Sequence, residues 1–119
     1  MEQSGWIGVD LDGTLAVYDG WIAENHIGVP IPAMVERVKR WIAEGREVRI
    51  FTARVAEGGR VVQFGAQVVR DSIEAWCQEH LGAVLPITNV KDHGMIALWD
   101  DRAVQVVRNT GVRVDGMAD

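Results

Sequence analysis

The chain has 119 residues, 48% of them hydrophobic, which suffices for one compact domain and leaves no room for a second of ordinary size. Its formal net charge of −5 argues against binding nucleic acid by broad neutralisation of phosphates, although a local basic groove is compatible with that charge. The single cysteine, Cys77, excludes an internal disulfide, and its place in an apolar helical stripe predicts a core residue.

The beginning of the chain gives no sign of export or membrane insertion. Its sequence MEQSGW has no basic region followed by an apolar one, and no window approaches 18 consecutive apolar residues. We therefore expect a single domain over residues 1–119 that is cytoplasmic and does not bind a membrane.

Hydrophobic patterning predicts alternating strands and helices. Apolar runs without polar alternation predict buried strands at residues 6–9, 48–51, 83–87 and 96–99. Apolar residues at helical spacing predict helices at residues 31–44 and from about residue 62 to 80, the second closed by Gly82. A shorter helix at 101–109 and a last strand near 112–114 complete the series. This order predicts an α/β fold with a mostly parallel sheet of about five strands and helices on both faces.

Polar side chains follow each predicted strand, at the sheet edge where ligands of parallel sheets bind. Asp10 and Asp12 are two residues apart, so both are expected to project to the same side beyond the first strand. An Asp-Gly turn with a solvated Asp10 would explain that pair alone, but acids, a hydroxyl and an ammonium together suit phosphate and metal binding. The residues expected to converge are Asp10, Asp12, Thr52, Lys91, Asp100 and Asp101.

Four motifs in this set resemble those of the haloacid dehalogenase superfamily. They are DLDGTL at residues 10–15, FTAR at 51–54, Lys91 and WDD at 99–101, in the order typical of the superfamily. The resemblance covers nearly the whole chain and implies a three-layer, Rossmann-like core. It further implies that Asp10 is a nucleophile that forms an aspartyl-phosphate, and that Asp12 is the general acid and base of a phosphatase.

The same resemblance implies a binding role for the remaining motif residues. Thr52 and Lys91 would hold the phosphoryl group, and Mg²⁺ would be bound by Asp10, the backbone carbonyl of Asp12 and Asp100, with Asp101 binding directly or through water. Elementary chemistry is compatible with these roles, because a carboxylate and a phosphate ester repel each other unless a cation bridges them. Mg²⁺ selects hard oxygen ligands such as these carboxylates.

Substrate size is predicted from the absence of a cap. Neither of the intervals between the first three motifs has room for the cap domain that many superfamily members carry. Residues 17–26 are expected to form a flap hairpin, in which Trp21 could stack on a base or sugar, whereas Trp6, Trp41, Trp76 and Trp99 fit core positions. An open site is associated in this superfamily with macromolecular substrates, or with homo-oligomers whose neighbouring subunit covers the site.

A closer resemblance concerns nucleic acid ends. The stretch LWDDRAVQVVRNTGV and the FTAR motif are similar to the phosphatase half of phage-type polynucleotide kinases, which removes 3′-phosphates. Arg54 then joins Thr52 and Lys91 as a candidate for substrate binding. The chain has no G-x-x-x-x-G-K-[ST] motif, so no kinase activity is expected.

Three alternatives to a nucleic acid 3′-phosphatase remain open. A capless phosphatase of small molecules such as sugars or nucleotides is nearly as well supported. A receiver-type signalling module also gathers acids, Thr and Lys, but it places adjacent acids after its first strand, whereas here the adjacent pair comes late. A phosphate-binding protein without turnover is the third alternative, and the presence of every motif residue argues against it.

Overall fold

The computed structural model describes residues 4–56 and 65–118, which form an α/β structure. Four strands form one parallel sheet in the order β3-β2-β1-β4, with two α-helices between them in sequence. The elements are β1 (Trp6–Asp10), α1 (Pro32–Ala43), β2 (Glu47–Phe51), α2 (Ala66–Leu81), β3 (Ile87–Thr88) and β4 (Met95–Trp99). A 3₁₀ turn at Ala53–Val55 follows β2.

Strand β1 is central and pairs on both sides. Val9 lies opposite Ile50 of β2 and opposite Trp99 of β4, so the carboxyl ends of all three strands reach the same sheet edge. The predicted strands at 6–9, 48–51 and 96–99 are confirmed. Of the predicted strand at 83–87 only Ile87 lies in a strand, the two-residue β3. Pro86 has no N–H to donate to a ladder and contributes only its carbonyl, to the Ile50 N–H at 2.8 Å.

Both helices begin and end at residues suited to those positions. Helix α1 starts at Pro32, whose fixed φ favours the first turn, and Gly45 follows its end with a φ of +77°. Helix α2 ends at Gly82, which adopts the left-handed conformation and caps the last turn. Both predicted helices are therefore confirmed, although the predicted start of the second near residue 62 lies outside the described residues.

The hydrophobic core lies on one face of the sheet. Ile7 and Val9 of β1 share that face with Val48 and Ile50 of β2, and they form one cluster with the buried residues of α1 and α2, including Cys77. The two helices also contact each other. Both helices therefore cover the same face of the sheet. This is expected because the connections from β1 to β2 and from β2 to β3 step in the same direction and such crossovers are right-handed.

The opposite face carries no helix among residues 4–56 and 65–118. Trp6, the first residue of β1, lies on this face, where it is buried beneath the guanidinium of Arg49 at 4.5 Å and donates its Nε1–H to Asp92 at 2.8 Å. The expected layer of helices on this second face, and the fifth strand, are thus not found in the described part. Trp6, Trp41 and Trp76 are buried as predicted, but Trp99 is 37% exposed because β4 is an edge strand.

Residues 101–118 contain neither the predicted helix at 101–109 nor the predicted strand at 112–114. Instead the chain turns back on itself, with the Val107 N–H donating to Val112 at 2.7 Å and the Val114 N–H donating to Gln105 at 2.9 Å. Asn109 at a φ of +67° makes the turn. The prediction failed because this segment is rich in β-branched valines, which disfavour a helix without a surface to bury them.

The intervals between the motifs contain no cap domain in the part of the chain that the structure describes. Between β1 and β2 lie a tight turn at residues 11–16, the segment at residues 17–29, which we call the flap segment, and α1. Its ends are joined by a bridge between Ala16 and Pro30 and by the Val17 N–H donating to Val29 at 2.8 Å. Neither α1 nor α2 is long and apolar enough to cross a membrane.

Candidate functional site

Three predicted acids meet where β1 and β4 end side by side. Because Val9 pairs with Trp99, the residues that follow them in sequence, Asp10 and Asp100, lie next to each other. One carboxylate oxygen from each of Asp10, Asp100 and Asp101 lies within 4.8 Å of the others. The backbone N–H of Arg102 donates to Asp100 Oδ1 at 2.7 Å, which fixes the orientation of that carboxylate.

Burial and the neighbouring acids change the protonation of Asp10. The pKa of Asp10 is raised from 3.8 to about 7, chiefly by burial and in addition by a hydrogen bond with Asp101 and the negative charges of Asp100, Asp101 and Asp12. A divalent cation among these oxygens would offset that repulsion. Three convergent carboxylates offer hard oxygen ligands, so the chemistry of the residues present fits a divalent cation.

A tight turn after β1 brings Thr14 and Gly13 against the acids. The Leu15 and Ala16 N–H groups both donate to the Leu11 carbonyl, at 3.0 and 2.9 Å. This turn places the Thr14 hydroxyl 3.3 Å from Asp10 Oδ2 and 3.4 Å from Asp101 Oδ1, so it can donate to either carboxylate.

Only glycine fits at position 13. Gly13 has a φ of +89°, and a Cβ there would lie 2.5 Å from Asp101 Oδ2. Both Gly13 and Thr14 belong to the DLDGTL motif, yet sequence reasoning gave neither a role in the site. The glycine could have been noticed because close approach of a side chain to the backbone is a recurrent reason for a glycine in a turn.

Asp12 is held by an arginine. Arg54 Nε and Nη2 donate to the two carboxylate oxygens of Asp12, each at 2.8 Å, in a bidentate ion pair. The Arg54 side chain is 5% exposed and that of Asp12 is 20% exposed. Sequence reasoning assigned Arg54 to substrate binding and did not foresee this pair, which depends on how the turn after β2 meets the turn after β1.

Thr52 directly follows β2, precedes the 3₁₀ turn that carries Arg54, and is 2% exposed. Its Oγ1 accepts the Arg54 backbone N–H at 3.2 Å, which begins the 3₁₀ turn, and its own N–H donates to the Thr88 carbonyl at 2.9 Å. The Thr52 hydroxyl hydrogen is not used in these bonds. Contact between Thr52 and a phosphoryl group stays a prediction.

Lys91 lies in the exposed connection between β3 and β4. Its ammonium makes no ion pair with any carboxylate of residues 4–56 and 65–118, so it is more than 4.0 Å from the three clustered acids. The predicted convergence is therefore seen for Asp10, Asp100 and Asp101. Asp12 is paired with Arg54, and the approach of Thr52 and Lys91 to a ligand stays a prediction.

Comparison with known proteins adds information on the fold alone. No protein-family model and no curated protein matches the sequence. A solved structure described as a conserved protein coded by a locus from Bacteroides thetaiotaomicron is similar, with a TM-score of 0.57 and 21% sequence identity. The match covers 98% of this chain and 83% of that one. The α/β fold with its parallel sheet therefore has a known counterpart, and that counterpart's description assigns no function.

Proposed function

We propose that the chain is a Mg²⁺-dependent phosphomonoester hydrolase of the haloacid dehalogenase type, acting through an aspartyl-phosphate on Asp10. The observation that supports this proposal most is the approach of Asp10, Asp100 and Asp101 within 4.8 Å at the carboxyl ends of two paired parallel strands. Like charges at this distance repel each other, and a bound cation would offset that repulsion. The resemblance of the motifs and their order to the haloacid dehalogenase superfamily gives Asp10 the role of the nucleophile.

The metal ligands in this proposal are the carboxylates of Asp10, Asp100 and Asp101 and the backbone carbonyl of Asp12. When bound, Mg²⁺ would supply positive charge that offsets the repulsion between the nucleophile and the phosphate ester. The Thr14 hydroxyl, at 3.3 Å from Asp10, would orient the carboxylate by donating a hydrogen bond to the oxygen that does not attack.

The reaction proceeds in two displacements at phosphorus. A carboxylate oxygen of Asp10 forms a bond to phosphorus while the ester P–O bond breaks, and the departing alkoxide takes a proton from Asp12. Asp12 then removes a proton from water, the water oxygen bonds to phosphorus, and the Asp10–phosphorus bond breaks to release inorganic phosphate. Thr52 and Lys91 are the proposed donors to the phosphoryl oxygens during both steps.

The proposed substrate is a phosphate at the 3′ end of a nucleic acid. An open site favours a large substrate, and no cap domain lies between the motifs in the described residues. The exposed Trp21, close to Arg54, offers a flat surface on which a base could stack. The alternative is a small phosphorylated metabolite, bound in a homo-oligomer whose neighbouring subunit covers the site.

A panel of phosphate esters tests both the activity and the substrate class. We expect phosphate release in Mg²⁺ that stops with excess EDTA and is absent from Asp10→Asn. A 3′-phosphorylated oligonucleotide should give a higher kcat/KM than p-nitrophenyl phosphate, and the advantage should shrink as salt rises. Inert oligonucleotides, an active sugar phosphate and a stable oligomer in light scattering would favour the alternative. No release from any ester would refute the proposal.

A further inference from the structure

Arg54 is joined to more parts of the candidate site than the predicted role in substrate binding explains. Its guanidinium makes four hydrogen bonds to described residues: two to Asp12 at 2.8 Å, one to the Glu24 carbonyl at 2.9 Å and one to the His26 carbonyl at 2.8 Å. It also lies 5.0 Å from the ring centroid of Trp21.

These contacts connect Arg54 to two neighbouring segments that lie 28 to 42 residues before it in sequence. Asp12 belongs to the turn after β1, whereas Trp21, Glu24 and His26 belong to the flap segment at residues 17–29. Arg54 itself belongs to the 3₁₀ turn after β2, whose first bond is from its own N–H to Thr52. One side chain therefore fixes both the Asp12 carboxylate and the flap segment relative to the sheet.

We propose that Arg54 is a positioning residue that acts through Asp12 and not a residue that binds the substrate phosphate. This proposal rests on the proposed function, because the orientation of Asp12 matters to turnover only if Asp12 transfers a proton to the leaving group. Arginine suits the role better than lysine, since its planar guanidinium can bond both carboxylate oxygens and still reach the two carbonyls.

The burial of Arg54 supports this role over phosphate binding. Its side chain is 5% exposed, and the contacts with Asp12, the flap carbonyls and Trp21 surround the guanidinium. A substrate phosphate could reach it only by displacing Asp12, which would leave a partly buried carboxylate without its partner. Holding Asp12 in one rotamer, by contrast, needs no rearrangement.

Leaving-group dependence distinguishes the two roles. An alkyl phosphomonoester needs a proton on its departing oxygen, whereas p-nitrophenolate leaves readily without one. If Arg54 acts through Asp12, Arg54→Ala should lower kcat/KM for the alkyl ester by roughly 10- to 100-fold and for p-nitrophenyl phosphate by much less. If Arg54 binds the phosphate, both esters should lose kcat/KM to the same extent.

A double-mutant cycle then tests the route through Asp12. In an Asp12→Asn background, Arg54→Ala should cause little further loss with the alkyl ester, because the interaction it served is already gone. A further loss as large as in the wild-type background would overturn the proposal. Arg54→Lys, which keeps the charge without the bidentate geometry, should fall between the wild type and Arg54→Ala.

Arg49→Ala is the matched control. Arg49 also lies over a tryptophan, Trp6, and pairs with a carboxylate, Glu47 at 2.6 Å, but it sits on the other face of the sheet from the helices. The Arg49→Ala variant should leave unchanged the ratio of kcat/KM for the alkyl ester to kcat/KM for p-nitrophenyl phosphate. If Arg54→Ala does not fold, as judged by circular dichroism, Arg54→Gln replaces it, because its amide still reaches a flap carbonyl.

A measurement without turnover separates this proposal from the proposed function. Acrylamide quenching of Trp21, taken as the difference between each protein and its Trp21→Phe form, should increase in Arg54→Ala, and also in Asp12→Asn to a lesser extent. Unchanged quenching in Arg54→Ala would refute the positioning of the flap segment. A wild-type protein that cleaves no ester would refute the proposed function, and with it the role of Arg54 in proton transfer, whatever the quenching shows.

Discussion

Replacing the proposed nucleophile should stabilise the metal-free protein. The pKa of Asp10 is raised from 3.8 to about 7, chiefly by burial and then by Asp101 and the neighbouring acids. Each pKa unit corresponds to about 1.4 kcal/mol, so ionised Asp10 lowers the free energy of unfolding by at most about 4 kcal/mol. Because the site is partly open to solvent, screening reduces this value, and we expect Asp10→Asn to gain about 1–2 kcal/mol at pH 8.

The pH dependence of this stability difference follows from proton binding. Since the pKa of Asp10 is higher in the folded than in the unfolded protein, the folded state binds more protons between about pH 4 and 7, and stability is lost as pH rises through that range. The destabilisation by ionised Asp10 is therefore fully present at pH 8 and smaller at pH 5. In EDTA, the melting temperature of Asp10→Asn should exceed that of the wild type by roughly 3–8 °C at pH 8 and by less at pH 5.

Asp19→Asn is the matched control, because Asp19 is exposed in the flap segment and undergoes the same chemical change. It should move the melting temperature at pH 8 by much less. Addition of Mg²⁺ should then raise the melting temperature of the wild type and have little effect on Asp10→Asn, because ligand binding stabilises only a folded state that holds the ligand. Asp10→Asn that is no more stable than the wild type at pH 8 would refute the electrostatic account of the acid cluster.

Three further changes test individual parts of the site. Gly13→Ala should destabilise the protein by about 1–3 kcal/mol in denaturant melts and abolish turnover, because its Cβ meets Asp101 and its φ is +89°; wild-type values would show that the turn adapts. Asp100→Ala should raise the Mg²⁺ concentration needed for half-maximal phosphate release at least about tenfold, and an unshifted titration would exclude Asp100 as a ligand. Asp12→Ala should lower kcat with alkyl phosphomonoesters by about 10²–10⁴-fold, and an unchanged kcat would remove Asp12 from proton transfer.

The sequence predicted those features that depend on local periodicity. Three of the four main apolar runs are strands, and the two long amphipathic patterns are helices, because each buries an apolar surface against its neighbours in one core. The convergence of Asp10, Asp100 and Asp101 was also predictable, since the ends of parallel strands lie at one edge.

Features that depend on tertiary contacts were not predictable. The valines at residues 104–107 have a spacing that a helix could use, yet they are exposed or paired in a short turn because no element covers them. Trp99 ends an apolar run of the kind that forms a buried strand, but this strand lies at the sheet edge and leaves the side chain partly exposed. The Arg54–Asp12 pair joins residues 42 apart in sequence, and no local pattern specifies which acid an arginine will meet.

Trapping the covalent intermediate tests the central claim most directly. The protein would be mixed with a phosphomonoester in Mg²⁺, quenched in acid during turnover and treated with borohydride, which reduces an aspartyl-phosphate to a homoserine that peptide mass spectrometry can locate. We predict a homoserine at position 10, dependent on substrate and absent from Asp10→Asn. Phosphate release without any reduction at position 10, or reduction at another acid such as Asp12 or Asp101, would contradict nucleophilic attack by Asp10.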